Sequence, residues 1–195
     1  MSQQLKSLGT ATAAARGIVM SAIGTGTPLG ITLTAGHRQR NGSRIAIAGN
    51  AADNLTWGEW TLGGVAATSA NLLGSTGTTA LSGTPVIAAL CDQAPFTQGS
   101  PAVFVVSSAA GAAATDGVGT AVIEKADGFS AGGFTYTNSS GVVTAGFQSA
   151  LLDGEIALPA FNDFGALMVQ VRLDRYMAFR MSAWTSGTFA GALLG

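Results

Sequence analysis

The residues of this chain most able to do chemistry stand close together. The segment ITLTAGHRQRNGSRIAIAGN, residues 31–50, carries the single histidine, His37, with Arg38, Arg40 and Arg44 beside it. A histidine flanked by arginines has two readings. It is a base beside an anion-binding group, or it is the polar tip of a β-hairpin turned at Asn41-Gly42. Nucleophilic catalysis needs a base held beside Ser, Cys or Thr, and His37 is the one histidine available. Its arginines oppose a further positive charge on the ring, and no G-x-S-x-G elbow frames a serine. The residues therefore favour a hairpin tip over a triad.

Other chemistries find fewer parts. Zinc needs three or four convergent ligands, and the chain has one Cys and one His, far apart. Asp116, Asp127, Asp153 and Asp163 stand singly, without the spacing of a calcium loop. Asp153 and Glu155 are placed like paired glycosidase carboxylates, but DGE also reads as a polar turn, which is the reading preferred. GTGTPLG lacks the Gly-Lys-Ser/Thr ending of a phosphate loop. No cofactor and no metal site are expected. Trp57, Trp60 and Trp184 are candidates for a glycan-binding face, against the commoner role of large aromatics in cores and interfaces. Arg38, Arg40 and Arg44 are few for a nucleic-acid surface, so they are candidates for a protein interface instead.

Composition narrows the function further. Charged residues are 10% of 195, far below the roughly 25% usual in globular proteins, while apolar residues are 47% and glycines number 28. So little charge implies a surface partly covered by partners. Net charge is −1, which excludes a general electrostatic pull toward nucleic acid or anionic membrane. Before Asp53 the chain has five basic residues and no acidic one, and all ten acidic residues follow. That division suits contact between unlike surfaces of neighbouring copies, or it is drift in composition. The lone Cys91 beside VIAAL reads as a buried, inert thiol. The N-terminus lacks a signal-peptide core, and no apolar run approaches the ~18 residues of a membrane helix. A soluble chain made in a reducing cytoplasm is expected.

The elements that must position these residues read as strands. GIVMSAI, GITLTA, RIAIAG, LTWGEWTL, TPVIAAL, AVFVVSS, GTAVIEKA, GFTYTNS, GEIALPAF, ALMVQVRL, RYMAFRMSAW and TFAGALL are separated by Gly, Ser, Thr and Asn turns. In ALMVQVRL, Leu167, Val169, Val171 and Leu173 alternate with Met168, Gln170 and Arg172, one buried face and one solvated. In RYMAFRMSAW, Met177, Phe179, Met181 and Ala183 oppose Tyr176, Arg180, Ser182 and Trp184. With the strand that follows TSG, these predict a three-stranded meander. Helix is scarce: QQLKSLGTATAAARG is the best candidate, and SSAAGAAATDG (107–117) reads as a small-residue loop. SANLLGSTGTTALSGT (69–84) reads as a hairpin arm and a connection. An all-β fold is expected, with an N-terminal arm over 1–16, a small β-barrel-like module over 17–84 and an antiparallel β-sandwich over 85–195.

Residues 17–81 resemble a small β module of tailed-phage structural proteins, distantly similar to a β-barrel domain of ubiquitin-activating enzymes. ITLTAGH, RNGSRIAIAGN and WGEWTL carry the likeness, with SANLLGSTGT more loosely, and RQR after the histidine departs from it. ALMVQVRLDRYMAFRMSAWTSGTFAGALLG is similar to the terminal strands of phage β-sandwich modules. The resemblance implies a non-enzymatic virion protein assembled in a bacterial cytoplasm. A capsid decoration (cement) protein on the head surface is favoured, with the major capsid protein as partner and a homo-oligomer, preferably a trimer. A tail, neck or fibre-base protein and a receptor- or glycan-binding module are the alternatives. No nucleic acid and no membrane partner is expected.

Overall fold

The computed structural model describes residues 4–48, 57–76, 85–108, 119–130, 132–151, 154–158, 166–184 and 187–195. Among them every regular element is a β-strand, and the fold is all-β. A four-stranded antiparallel sheet has the order Leu5–Ala11, Phe189–Leu194, Pro101–Ser108, Ala166–Arg172. A much longer sheet begins at Gln148–Ser149 and runs through Gly119–Ala126, Tyr176–Trp184, Val86–Leu90 and Arg44–Ala48. It continues through Gly58–Gly63, Ser69–Leu73 and Leu29–Leu33 to Met20–Ile23.

Alternation decides what lies between them. Side chains in a strand point to opposite faces in turn, so Ala102, Phe104 and Val106 all face one way, and all are buried. They meet Ile123, Met177, Phe179 and Met181 of the long sheet in the sandwich core. Phe104 and Phe179 touch with ring centroids 5.9 Å apart. The sheets approach so closely at Phe179 that a Cβ added to Gly191 would lie 2.7 Å from its Cγ. Only glycine fits there.

The long sheet serves two further cores. Ile31, Leu33, Ile45, Ile47, Leu62, Leu72 and Ile87 form one face inside the N-terminal half. The opposite face, with Ala46, Ala88, Leu90, Tyr176 and Ala178, is covered by Phe134 of the small sheet Gly128–Ser130, Gly133–Thr137, Val143–Ala145. Tyr176–Trp184 is therefore buried on both sides at its start. Val86–Leu90 pairs with Arg44–Ala48 on one side and Tyr176–Trp184 on the other, so one sheet runs across residue 85. Among the described residues the N-terminal strands do not close a barrel, since the order ends at Met20–Ile23.

Three local expectations change. The N-terminal helix candidate contains the strand Leu5–Ala11, hydrogen-bonded to Phe189–Leu194 of the same chain. Gly9 stands at φ +92°, which no helix accommodates, and Leu8 packs into the sandwich core. The segment 1–16 thus contributes a strand to a sheet within its own subunit. The C-terminal meander is absent as well. Ala166–Arg172 pairs with Pro101–Ser108, Tyr176–Trp184 pairs with Gly119–Ala126, and Phe189–Leu194 pairs with Pro101–Ser108 and Leu5–Ala11. Leu173–Arg175 carries the chain from one sheet to the other, and the alternation survives because both sheets face the same core. Finally, Leu29–Leu33 and Arg44–Ala48 do not pair with each other. The first lies between Met20–Ile23 and Ser69–Leu73, the second between Gly58–Gly63 and Val86–Leu90. The segment between them is a crossover, not a hairpin turn. Most of 107–117, and residues 77–84 of the expected connection, lie outside the described residues.

Candidate functional site: a basic cleft

The crossover 34–43 lies along the first strand, Leu5–Ala11, at the border of the four-stranded sheet. Thr10 donates its hydroxyl to Gly36 O, and Ser7 donates its hydroxyl to His37 O at 3.1 Å. His37 itself is buried, 3% exposed, and does not crown a tip. Its Nδ1 accepts from the Gln39 backbone N–H at 3.0 Å, which leaves the proton on Nε2 to be donated to Ala66 O at 3.0 Å. The Gln39 side chain, also buried, donates to Ser7 O and His37 O, both at 3.2 Å. His37 is a structural clamp with both ring nitrogens engaged by backbone groups.

This clamp turns the two neighbouring arginines outward. Arg38 and Arg40 are exposed, and Arg38 holds φ +53°, a left-handed backbone that costs an L side chain about 1 kcal/mol. Arg40 N donates to Ser43 Oγ, and Gly42, at φ +86°, bonds through its N–H to Leu62 O. Asn41-Gly42 thus makes its turn against the Gly58–Gly63 strand. Arg44 points inward instead. It forms an ion pair with Asp92 and donates to Thr61 Oγ1. Arg44 Nε and Asp92 Oδ1 are buried without a hydrogen-bond partner.

Lys6, from the first strand, joins this group. Together Lys6, Arg38, Arg40 and Arg44 line a cleft of about 200 Å³ floored by Gln93, Ala94 and Phe96. The Lys6 ammonium lies 5.7 Å from the centre of the Phe96 ring. Burial holds the Lys6 amine below its ordinary value, and Arg44 adds to this, against the opposing pull of Cys91 and Asp92. Sequence reading missed Lys6 because thirty-odd residues separate it from the cluster, as expected for contacts made only by sheet pairing. No local pattern marks it.

The other candidates are dispersed. Trp57 stacks edge-on with Phe129 at 5.8 Å, on the side of the third core. Trp60 packs against the N-terminal core, on the opposite face of the sheet. Trp184, 39% exposed, donates its indole N–H to Gly187 O at the end of its strand. The three indoles form no common platform. Cys91 is buried, and burial pushes its thiol up to about 12, the state of an inert side chain. Among the described residues no group of three His, Cys, Asp or Glu side chains is placed to hold a metal ion. Asp153, one half of the carboxylate pair considered from sequence, lies outside the described residues, as do Asp116 and Asp163.

Charge elsewhere is matched inside the chain. Glu124, with its side chain only 8% exposed, receives Arg16 at 3.0 Å and Arg180 at 2.9 Å. Arg175 donates from Nη2 to both Glu59 oxygens, at 2.8 and 3.0 Å, and from Nε to Oε1 at 2.9 Å, and Tyr176 donates its hydroxyl to the same carboxylate at 2.7 Å. Burial alone would raise Glu59, but these bonds outweigh it and hold the carboxyl below its ordinary range. The division between a basic beginning and an acidic remainder is thus partly closed within the subunit, through Arg16 with Glu124 and Arg44 with Asp92. Compared with protein families, curated proteins and solved structures, the chain finds no match.

Proposed function

We propose that this chain is a non-enzymatic structural subunit of a tailed-phage virion, used as a capsid decoration (cement) protein. The observation that supports assembly as its role is the outer face of the four-stranded sheet. Antiparallel partners share a face, so the register Leu5 opposite Leu194, Leu194 opposite Val103, and Val105 opposite both Ala192 and Met168 makes a mainly apolar surface, interrupted by Gln170 opposite Val103 and by Ser7 opposite Ala192. Leu5 is 58% and Met168 64% exposed on it. Its last strand, Ala166–Arg172, has no further strand beside it among the described residues. An apolar sheet face next to an open edge is a surface that soluble monomers avoid and that assembling subunits use. The virion setting rests on the resemblance of 17–81 and of the terminal strands to phage modules.

The partners that follow are further copies of the chain, a trimer preferred, and the major capsid protein. Sedimentation of the purified chain and of a Met168→Glu variant tests the self-association. The wild type is expected to sediment as an oligomer, and the variant, with a charge in the apolar face, as a monomer. A monomeric wild type at tens of micromolar refutes self-association through this face. Immunoelectron microscopy of purified phage particles tests the location. Label over heads supports a decoration role, and label confined to tails removes it.

A further inference from the structure

The nine basic residues of the chain divide unevenly. Arg16, Arg44, Lys125, Arg175 and Arg180 each form an ion pair with an acidic residue of the same chain. Arg172 is bound through Nε to Gly99 O. The remaining cations, Lys6, Arg38 and Arg40, make no ion pair among the described residues, and all three line one cleft together with Arg44. In a chain with 10% charged residues, three of the four cations without a carboxylate partner among the described residues are gathered at one place.

We propose that this cleft is a binding site for a phosphate group, taken either as the free dianion or as the end of a phosphomonoester. The argument is first one of charge. Arg44 is balanced by Asp92, which leaves a local surplus from Lys6, Arg38 and Arg40. A single carboxylate would match one of these charges. A phosphate group brings roughly −1.5 to −2 at neutral pH, with three acceptor oxygens, in one compact unit. Two guanidinium forks and an ammonium are the donor set that such oxygens take.

Shape and strain agree with charge. At about 200 Å³ the cleft is smaller than the roughly 300–1,000 Å³ of sites that engulf whole cofactors, so it fits a terminal group. Lys6 is half-buried against the Phe96 ring with no carboxylate bonded to it. Arg38 keeps a guanidinium at a backbone position, φ +53°, that glycine would hold without strain. The buried His37 and Gln39 on either side of Arg38 fix that backbone, so the point from which the Arg38 side chain departs is set before any ligand arrives. The site stands independently of any role in assembly.

The test is a titration of the ¹⁵N-labelled full chain, followed by amide shifts, at constant ionic strength set with chloride. Inorganic phosphate and glycerol 3-phosphate are the two phosphate probes, and glutarate is the dicarboxylate control. Saturable one-site shifts around 4–7 and 38–44 are expected with phosphate. Glycerol 3-phosphate separates the sources: matching shifts assign phosphomonoesters, and shifts with inorganic phosphate alone assign the free ion. The Arg38→Ala/Arg40→Ala double variant, altered only at exposed side chains, is expected to bind at least tenfold more weakly while its thermal midpoint holds. Lys6→Met is the second variant and is expected to weaken binding similarly. No saturation with either phosphate probe overturns the proposal, as does undiminished, wild-type affinity in both variants. Glutarate binding as tightly as phosphate overturns the assignment to phosphate.

Discussion

Replacing His37 by alanine distinguishes a clamp from a catalytic base. The ring fills a buried position and satisfies two backbone groups, Gln39 N–H and Ala66 C=O. Gln39 is buried, so its orphaned N–H costs roughly 1–3 kcal/mol. Ala66 is exposed, and its carbonyl regains water for about 1 kcal/mol or less. Adding the lost packing of the ring gives a destabilisation of about 2–4 kcal/mol for His37→Ala. Asparagine supplies an oxygen that reaches the N–H two residues on, so His37→Asn is expected to lose only about half as much. Urea unfolding of the three proteins, followed by tryptophan fluorescence and fitted with a common slope, reads these differences directly. Because His37 holds the backbone on one side of Arg38, both variants are also expected to weaken phosphate binding in the order of their instability. An alanine variant within 0.5 kcal/mol of wild type refutes the clamp, leaving the Ser7 and Thr10 bonds as the ones that hold the crossover. Loss of a measured enzymatic turnover at unchanged stability revives the base.

Two further predictions concern the scaffold. Gly191→Ala places a methyl 2.7 Å from Phe179 Cγ inside a core where Phe179 is also packed on Phe104. Overpacking of this kind costs about 1–3 kcal/mol, read as a lower thermal midpoint by differential scanning calorimetry, and an unchanged midpoint would show that the sheets can part there. Glu59 has a native carboxyl held below its ordinary value of 4.5, so the unfolded chain binds its proton more readily. Its contribution to stability is therefore complete above about pH 5 and is lost as pH falls below 4.5 through the lower native value. Glu59→Gln is expected to reduce the acid-side slope of unfolding free energy between roughly pH 5 and 3, and parallel slopes would place the acid sensitivity elsewhere.

The sequence resolved the faces of the strands and misjudged their partners. Leu167, Val169, Val171 and Leu173 do turn inward, and Met168, Gln170 and Arg172 outward. Face alternation is a property of each strand alone, written in its own residues. Pairing depends on which strand lies alongside, and Leu173–Arg175 contains nothing that distinguishes a hairpin from a step between two sheets. The same limit governs the N-terminus. LKSLGTA has leucines spaced as on a helix, and only its partner strand Phe189–Leu194 and the φ of Gly9 make it extended. Tertiary pairing overrides a weak local preference.

The cluster around His37 shows how this limit acts on function. Its type and spacing were plain in the sequence, but each member's task depends on which distant strand it meets. Arg44 is drawn to Asp92, His37 to Ala66, and only Arg38 and Arg40 keep their charge for something outside the chain. Lys6 enters the group because the first strand pairs with Phe189–Leu194 and carries it beside the 91–97 turn. In a charge-poor chain a group of cations that finds no internal carboxylate is informative, since like charges held close together repel until an anion joins them. Subtracting the satisfied charges from the whole therefore isolates a candidate site that neither motif nor proximity in sequence marks. That subtraction needs the fold, and in this protein it leaves Arg172 alone on its strand and Lys6, Arg38 and Arg40 in a single cleft.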